Sequence, residues 1–154
     1  ILIRYELEKE IFENKIDLNS LDRLWDERYE KYLGVKADKP SEGILQDVHW
    51  SGASFGYFTT YALGSAIGAQ IFHKMQKDRS YRLFILEGEN GVKSMLEKGK
   101  FSRITDYLKK NIQHYGALYS FEQILLKATG EEFDPQYYIE YLKNKYMDLY
   151  MIKK

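Results

Sequence analysis

Residues 43–64 read Gly43-Ile44-Leu45-Gln46-Asp47-Val48-His49-Trp50-Ser51-Gly52-Ala53-Ser54-Phe55-Gly56-Tyr57-Phe58-Thr59-Thr60-Tyr61-Ala62-Leu63-Gly64, and this stretch decides the fold class. Ile44 to Trp50 is a short mixed run that reads as extended or irregular, and Ser51 to Ser54 is a turn of small residues. From about Phe55 a long helix is expected to Lys77, with Tyr57, Tyr61, Gly64, Gly68 and Ile71 at three- and four-residue spacings. Gly56, Gly64 and Gly68 weaken the propensity of that helix, so they are expected where it packs closely on other helices or a ligand. No series of buried strands surrounds this stretch. The chain therefore reads as all-α with one irregular or short extended segment near 43–54.

The flanks support that reading. Before the stretch, Ile3, Leu7 and Ile11 recur at helical spacing, with Glu6, Glu8, Lys9 and Glu10 on the other faces. This helix should end near Phe12–Asn14. Asn19 or Asp17 then caps a second helix that carries Leu21, Leu24, Trp25, Tyr29 and Leu33 and closes at Gly34. Lys36 to Gly43, with Pro40 and Ser41, reads as a loop.

After the stretch, Tyr81 to Leu86 continues as helix and ends at Gly88, and Met95 to Phe101 forms a short helix and turn. Ser102 caps a helix to about His114. Ser120 and Gln123 form a capping-box pattern ahead of a helix closed by Gly130. Asp134-Pro135 opens the last helix, which carries Tyr138, Tyr141, Leu142, Tyr146, Leu149 and Tyr150. No internal repeat or linker divides residues 1–154, which read as a single helical region. The chain opens Ile1-Leu2-Ile3-Arg4-Tyr5 in mid-helix without a methionine, which suggests a piece of a longer chain. That opening is too short and too soon charged for a signal peptide or a membrane span.

Composition narrows the function. The 154 residues carry 23 Lys plus Arg and 23 Asp plus Glu, a formal net charge of zero. A nucleic-acid binder or a polybasic membrane-surface protein would carry a concentrated basic excess. There is no cysteine, which excludes disulfides, thiol catalysis and cysteine-ligated zinc. No His-Glu-x-x-His and no histidine pair at helical spacing occurs, and His49, His73 and His114 are far apart in sequence.

Chemistry concentrates in the central stretch. Gln46, Asp47, His49 and Trp50 lie together beside glycine, where functional side chains are often presented. The other reading of His49 is a satisfied structural histidine beside a core tryptophan. Tyr57 and Tyr61 are four apart and share a helix face, and a phenol near an imidazole can donate to a developing oxyanion. In a chain with 14 tyrosines, a tyrosine stripe is also a common core feature. Gly52-Ala53-Ser54-Phe55-Gly56 matches the Gly-x-Ser-x-Gly nucleophile elbow. That motif needs a parallel sheet and a later acid and histidine, whereas His73 and His114 fall at helix-surface positions. Ser54 therefore reads as a helix-start residue.

The same residues resemble a known family. Gly43 to Trp50 fits Gly-x-x-Gln-Asp-x-His-Trp, a signature motif of the Taq-type (thermostable) carboxypeptidases, and the tail to Gly64 is similar as well. Arg4-Tyr5-Glu6-Leu7-Glu8, Ala69-Gln70, Gly99 to Ile104 and Ala128 to Tyr150 also look like segments of that family. The chain departs from the usual pattern at Ala53, commonly Gly, and at Thr59, commonly Pro.

The resemblance implies a mostly helical metallocarboxypeptidase of the His-Glu-x-x-His class, several times longer, whose metal ligands precede the present segment. This chain would be its C-terminal third, forming one wall of the active-site groove. The cofactor implied is zinc, or another divalent metal such as cobalt, held by no residue here. His49 and Tyr61, with Tyr57 as second choice, become the candidates for stabilising the tetrahedral intermediate. Gln46 and Asp47 would orient His49 or contact substrate, and Trp50 would pack. The 154 residues alone are expected to be inactive. The implied partners are a peptide substrate, the missing N-terminal part and a possible second copy in a homodimer, in the cytoplasm. Two other readings stay open: a stand-alone interaction domain derived from the peptidase, and a helical peptide-binding protein without hydrolysis.

Overall fold

A computed structural model describes residues 1–78 and 94–152. Among these there is no β-strand, and no helix is long and apolar enough to cross a membrane. The chain divides into two compact units, Ile1–Gly64 and Ser65–Lys154.

The first unit begins with α1 (Leu2–Phe12) and α2 (Leu21–Leu33). Ile3 and Leu7 lie one helical turn apart and bury against Trp25, with Leu21, Leu24, Tyr29, Ile44 and Trp50 packed around them. Each apolar side chain buried there contributes about 1.5–3 kcal/mol. Trp25 stacks on Tyr29 at 4.9 Å between ring centres and meets the edge of Trp50 at 5.9 Å. Asp17 does act as a cap, but of the 3-10 turn Leu18–Ser20 ahead of α2 rather than of α2 itself. Gly34, at φ 68°, closes α2 in the left-handed conformation expected of it.

The central stretch is irregular, one of the two forms expected of it, and its long helix starts late. It is not extended: Ile44–Gln46 is a 3-10 turn and Val48–Ser51 a short helix, α3, with only Asp47 between them in a β conformation. The long helix, α4, runs over Thr60–Lys77 and so starts five residues later than Phe55. The backbone accounts for the delay. Ala53 and Gly56 sit at φ 58° and 77°, and a right-handed helix cannot pass through either. Ser54 is consequently not a helix start; its N–H donates to the His49 carbonyl at 2.8 Å.

The glycines are expected to pack against other helices or a ligand. A Cβ on Gly56, Gly64 or Gly68 would meet no atom within 4 Å among the described residues, so no close packing explains them there. Close approach occurs instead at Gly43, where a Cβ would lie 3.1 Å from Ala37 Cβ and 3.2 Å from Asp26 Oδ1.

In the second unit, residues 94–97 are helical, followed by α5 (Ser102–Asn111), a 3-10 turn (Gln113–Tyr115), α6 (Phe121–Thr129) and α7 (Gln136–Leu149). Ser102 is the first helical residue of α5 and not its cap, and the helix stops at Asn111 short of His114. The Ser120–Gln123 capping box forms in both directions, and Gly130 ends α6 at φ 79°. Asp134 Oδ1 accepts from the Gln136 N–H at 2.9 Å at the start of α7. Buried side chains include Met75, Tyr107, Leu125 and the wholly buried Gln70. The Gln70 amide donates to the Glu132 carbonyl at 2.8 Å and accepts from the Asp134 N–H at 3.0 Å, holding the loop into α7. The helix expected over Tyr81 to Leu86 and its end at Gly88 lie outside the described residues.

Candidate active site

The site is assembled by the turn structure of residues 47–61. Asp47 caps α3: its Oδ1 accepts from the backbone N–H of His49 at 2.8 Å and of Trp50 at 2.7 Å. These bonds satisfy two of the orphan donors of a helix start and set the direction in which α3 presents His49. The chain then reverses through Ala53. A non-glycine residue in that conformation costs roughly 1–2 kcal/mol, so the alanine strains the turn where a glycine would not.

The reversal returns Tyr57, Phe58 and Tyr61 to His49. Tyr57 stacks on the imidazole at 5.6 Å and 20°. Phe58 meets it edge-on at 5.2 Å, and the Tyr61 ring lies 6.3 Å away at 81°. Tyr57 and Tyr61 pack perpendicular to each other at 5.7 Å. A side-chain hydrogen bond with Tyr57 pushes the Tyr61 phenol above its ordinary pKa of 10.0. Tyr61 thus keeps its proton, and its capacity to donate, throughout the neutral range. Both phenols are about half exposed, Tyr57 at 53% and Tyr61 at 48%. His49 is partly buried, and its Nδ1 is buried with no hydrogen-bond partner among the described residues. An unmet buried polar atom costs about 1–3 kcal/mol, a deficit that calls for an explanation in a native fold.

Three of the residues singled out from the sequence, His49, Tyr57 and Tyr61, are therefore brought together. Asp47 is buried beneath them and acts on the backbone of His49, not on its ring. Gln46 is exposed and donates to the Ser41 carbonyl, so its amide is engaged across the preceding loop instead of with His49. Trp50 packs on Trp25.

Two residues escaped the sequence reading. Glu8, placed there on a polar face, is only 6% exposed. Its carboxylate accepts from the Trp50 indole N–H at 3.3 Å and from the Gly56 backbone N–H. Arg4 Nη1 lies 2.6 Å from Asp47 Oδ2, and its guanidinium covers the Phe58 ring at 3.9 Å. In the sequence each directly follows a residue of the Ile3–Leu7 stripe and lies in the family-like segment Arg4 to Glu8.

Comparison with known proteins identifies the lineage. The family model of the carboxypeptidase Taq (M32) metallopeptidases matches residues 1–146. The chain belongs to that family. Carboxypeptidase 1 of Bacillus subtilis (strain 168) is 41% identical over 152 residues, 99% of this chain and 28% of the relative. Thermostable carboxypeptidase 1 of Pyrococcus furiosus is 35% identical over 96% of this chain and 28% of its own length. Among solved structures, Trypanosoma cruzi metallocarboxypeptidase 1 superposes with a TM-score of 0.79 at 33% identity, over 94% of this chain and 28% of that one. The M32 chain thus spans 28% of the length of the curated relatives it matches.

An M32 metallopeptidase implies a metal ion. Among the described residues no group of three or more His, Cys, Asp or Glu could hold one. Around His49 the described side chains offer hydrogen bonding, ring packing and charge.

Proposed function

We propose that this chain is the C-terminal part of a metal-dependent carboxypeptidase that removes C-terminal amino acids from peptides, and that it forms one wall of the active-site groove. The observation that carries the reading is the convergence of His49, Tyr57 and Tyr61, with both phenols open to a ligand. Family membership supplies the reaction class.

In this reading, water adds to the last peptide bond of the substrate and the carbonyl oxygen gains negative charge. His49 and Tyr61 donate to that oxygen, so their bonds strengthen as the charge develops. Tyr57 holds both partners: its ring stacks on His49 and its hydroxyl is hydrogen-bonded to Tyr61. Asp47 fixes the backbone from which His49 projects. Gln46 would meet substrate at the rim.

The metal, zinc or another divalent ion such as cobalt, belongs to the remaining part of the protein, which is also the principal partner. The full protein acts in the cytoplasm on peptide substrates, binds neither nucleic acid nor membrane, and has a possible homodimer as its assembly. The 154 residues alone have no peptidase activity.

The test is Tyr61→Phe in the full-length protein. Loss of one oxyanion donor should lower kcat by about 10²–10³, with KM little changed. Unchanged turnover would overturn the assignment.

A further inference from the structure

We propose that Glu8, together with Arg4 one turn before it, is a positioning residue for the His49–Tyr61 pair, because these two charges on α1 hold both ends of the segment that carries it. The inference rests on the donor roles just given to His49 and Tyr61.

Arg4 and Glu8 are four residues apart and lie on one face of α1. Arg4 secures the beginning of the segment. Its Nη1 holds Asp47 Oδ2 at 2.6 Å, while Asp47 Oδ1 takes the N–H groups of His49 and Trp50. One carboxylate therefore joins α1 to the first turn of α3. Glu8 secures the middle and the end: one oxygen takes the Trp50 indole N–H, the other the N–H of Gly56, immediately before Tyr57. Arg4 reaches the same group by a second route, because the Phe58 ring beneath its guanidinium touches both His49 and Tyr61, at 5.2 and 5.4 Å.

Burial makes this arrangement informative. The side chains of Arg4 and Asp47 are 13% and 2% exposed, and Glu8 is 6% exposed. Taking charges out of water is unfavourable, and apolar residues of similar volume often serve stability as well or better. What an apolar residue cannot do is accept two N–H groups six residues apart in the chain and so fix their separation. Catalytic groups misplaced by about 1 Å can lose on the order of 10² in rate, so such a restraint has a functional consequence.

The experiment is a mutant cycle in the full-length protein, with kcat, KM and Tm measured on a peptide substrate. Glu8→Ala is expected to lower kcat on the order of ten- to a hundredfold, with KM changed by no more than about threefold. Glu8→Gln keeps the volume and one acceptor oxygen and should recover part of the loss. In a Tyr61→Phe background the Glu8 changes should cost less, because one of the two donors being placed is already gone. Arg28→Ala, which breaks an ion-pair cluster elsewhere on α1, should lower Tm and leave kcat unchanged.

Glu8 variants that lose Tm at full kcat, or lose kcat by the same factor with and without the Tyr61 hydroxyl, would overturn the positioning role. If Glu8→Ala does not fold, Glu8→Gln decides by the same criteria. A Tyr61→Phe variant at full turnover would overturn the donor reading itself, and with it the target being positioned.

Discussion

Two arginine–carboxylate clusters meet on α1. Arg28 reaches across from α2 to Glu6 at 2.8 Å and to Glu10 at 2.7 Å, with side chains 20%, 29% and 30% exposed. Tyr32 adds a hydroxyl donor to Glu6 at 2.9 Å. The bonds to Glu10 and then Glu6 push the Arg28 guanidinium above its ordinary pKa. On another face of the same helix, Arg4 and Glu8 act on residues 47–56, nearly out of contact with water. The two differ in partners as well as in solvent: Arg28 pairs with two glutamates, whereas Arg4 pairs with Asp47 and Glu8 takes two N–H groups. Water screens the first, so it ties two helices together loosely. The second is unscreened, so its geometry is imposed on whatever it holds.

Breaking each cluster should separate them by size. Arg4→Ala strands the Asp47 carboxylate in the interior, and the full-length protein is expected to lose about 3–5 kcal/mol of unfolding free energy. A loss well below 1 kcal/mol in denaturant titration would show that water reaches Asp47 after all. Arg28→Ala removes a partly exposed network and should cost about 1 kcal/mol. Raising the salt from 0.1 to 1 M, which shortens the screening length from about 10 to about 3 Å, should shrink the Arg28 effect and leave the Arg4 effect nearly intact. Equal salt dependence would break the distinction.

The smallest expected effect concerns pH. Tyr61 holds its proton to higher pH than a free phenol because of Tyr57, so the alkaline limb of kcat should lie above about 10. Removing the hydroxyl in Tyr57→Phe should move that limb down toward the free-phenol value. A limb that stays in place would mean that Tyr61 is not the group titrating.

The last helices were the most legible part of the sequence, and the physical reason is distance along the chain. The Ser120–Gln123 box and the Gly34 and Gly130 caps are interactions of residues within a few positions, so the residue types alone announce them. The same logic put Tyr57 and Tyr61 on one helix face, but Tyr57 lies in the turns before α4, and only the reversal at Ala53 and Gly56 brings the two rings together. It failed for the start of α4, because the sequence pattern of a helix continues back through Phe55 while the backbone at Ala53 and Gly56 does not. At Gly64 and Gly68, where small size suggests packing on other helices or a ligand, a Cβ would meet no atom within 4 Å among the described residues.

By itself, then, the sequence determined the all-helical class, the Ser120 capping box and the glycine ends at Gly34 and Gly130, and through the Gly43–Trp50 motif the family. It also named His49, Tyr57 and Tyr61 as candidates, because they fall close together in the chain. Only the tertiary structure decided that Glu8 is buried, that Arg4 belongs to Asp47, that Gln46 is engaged with Ser41, and that Gln70 holds the loop at 132–134. Local periodicity assigns a residue to a helix face from its neighbours three and four positions away. Whether a charge on that face meets water or a backbone N–H some forty residues on depends on the path of the whole chain.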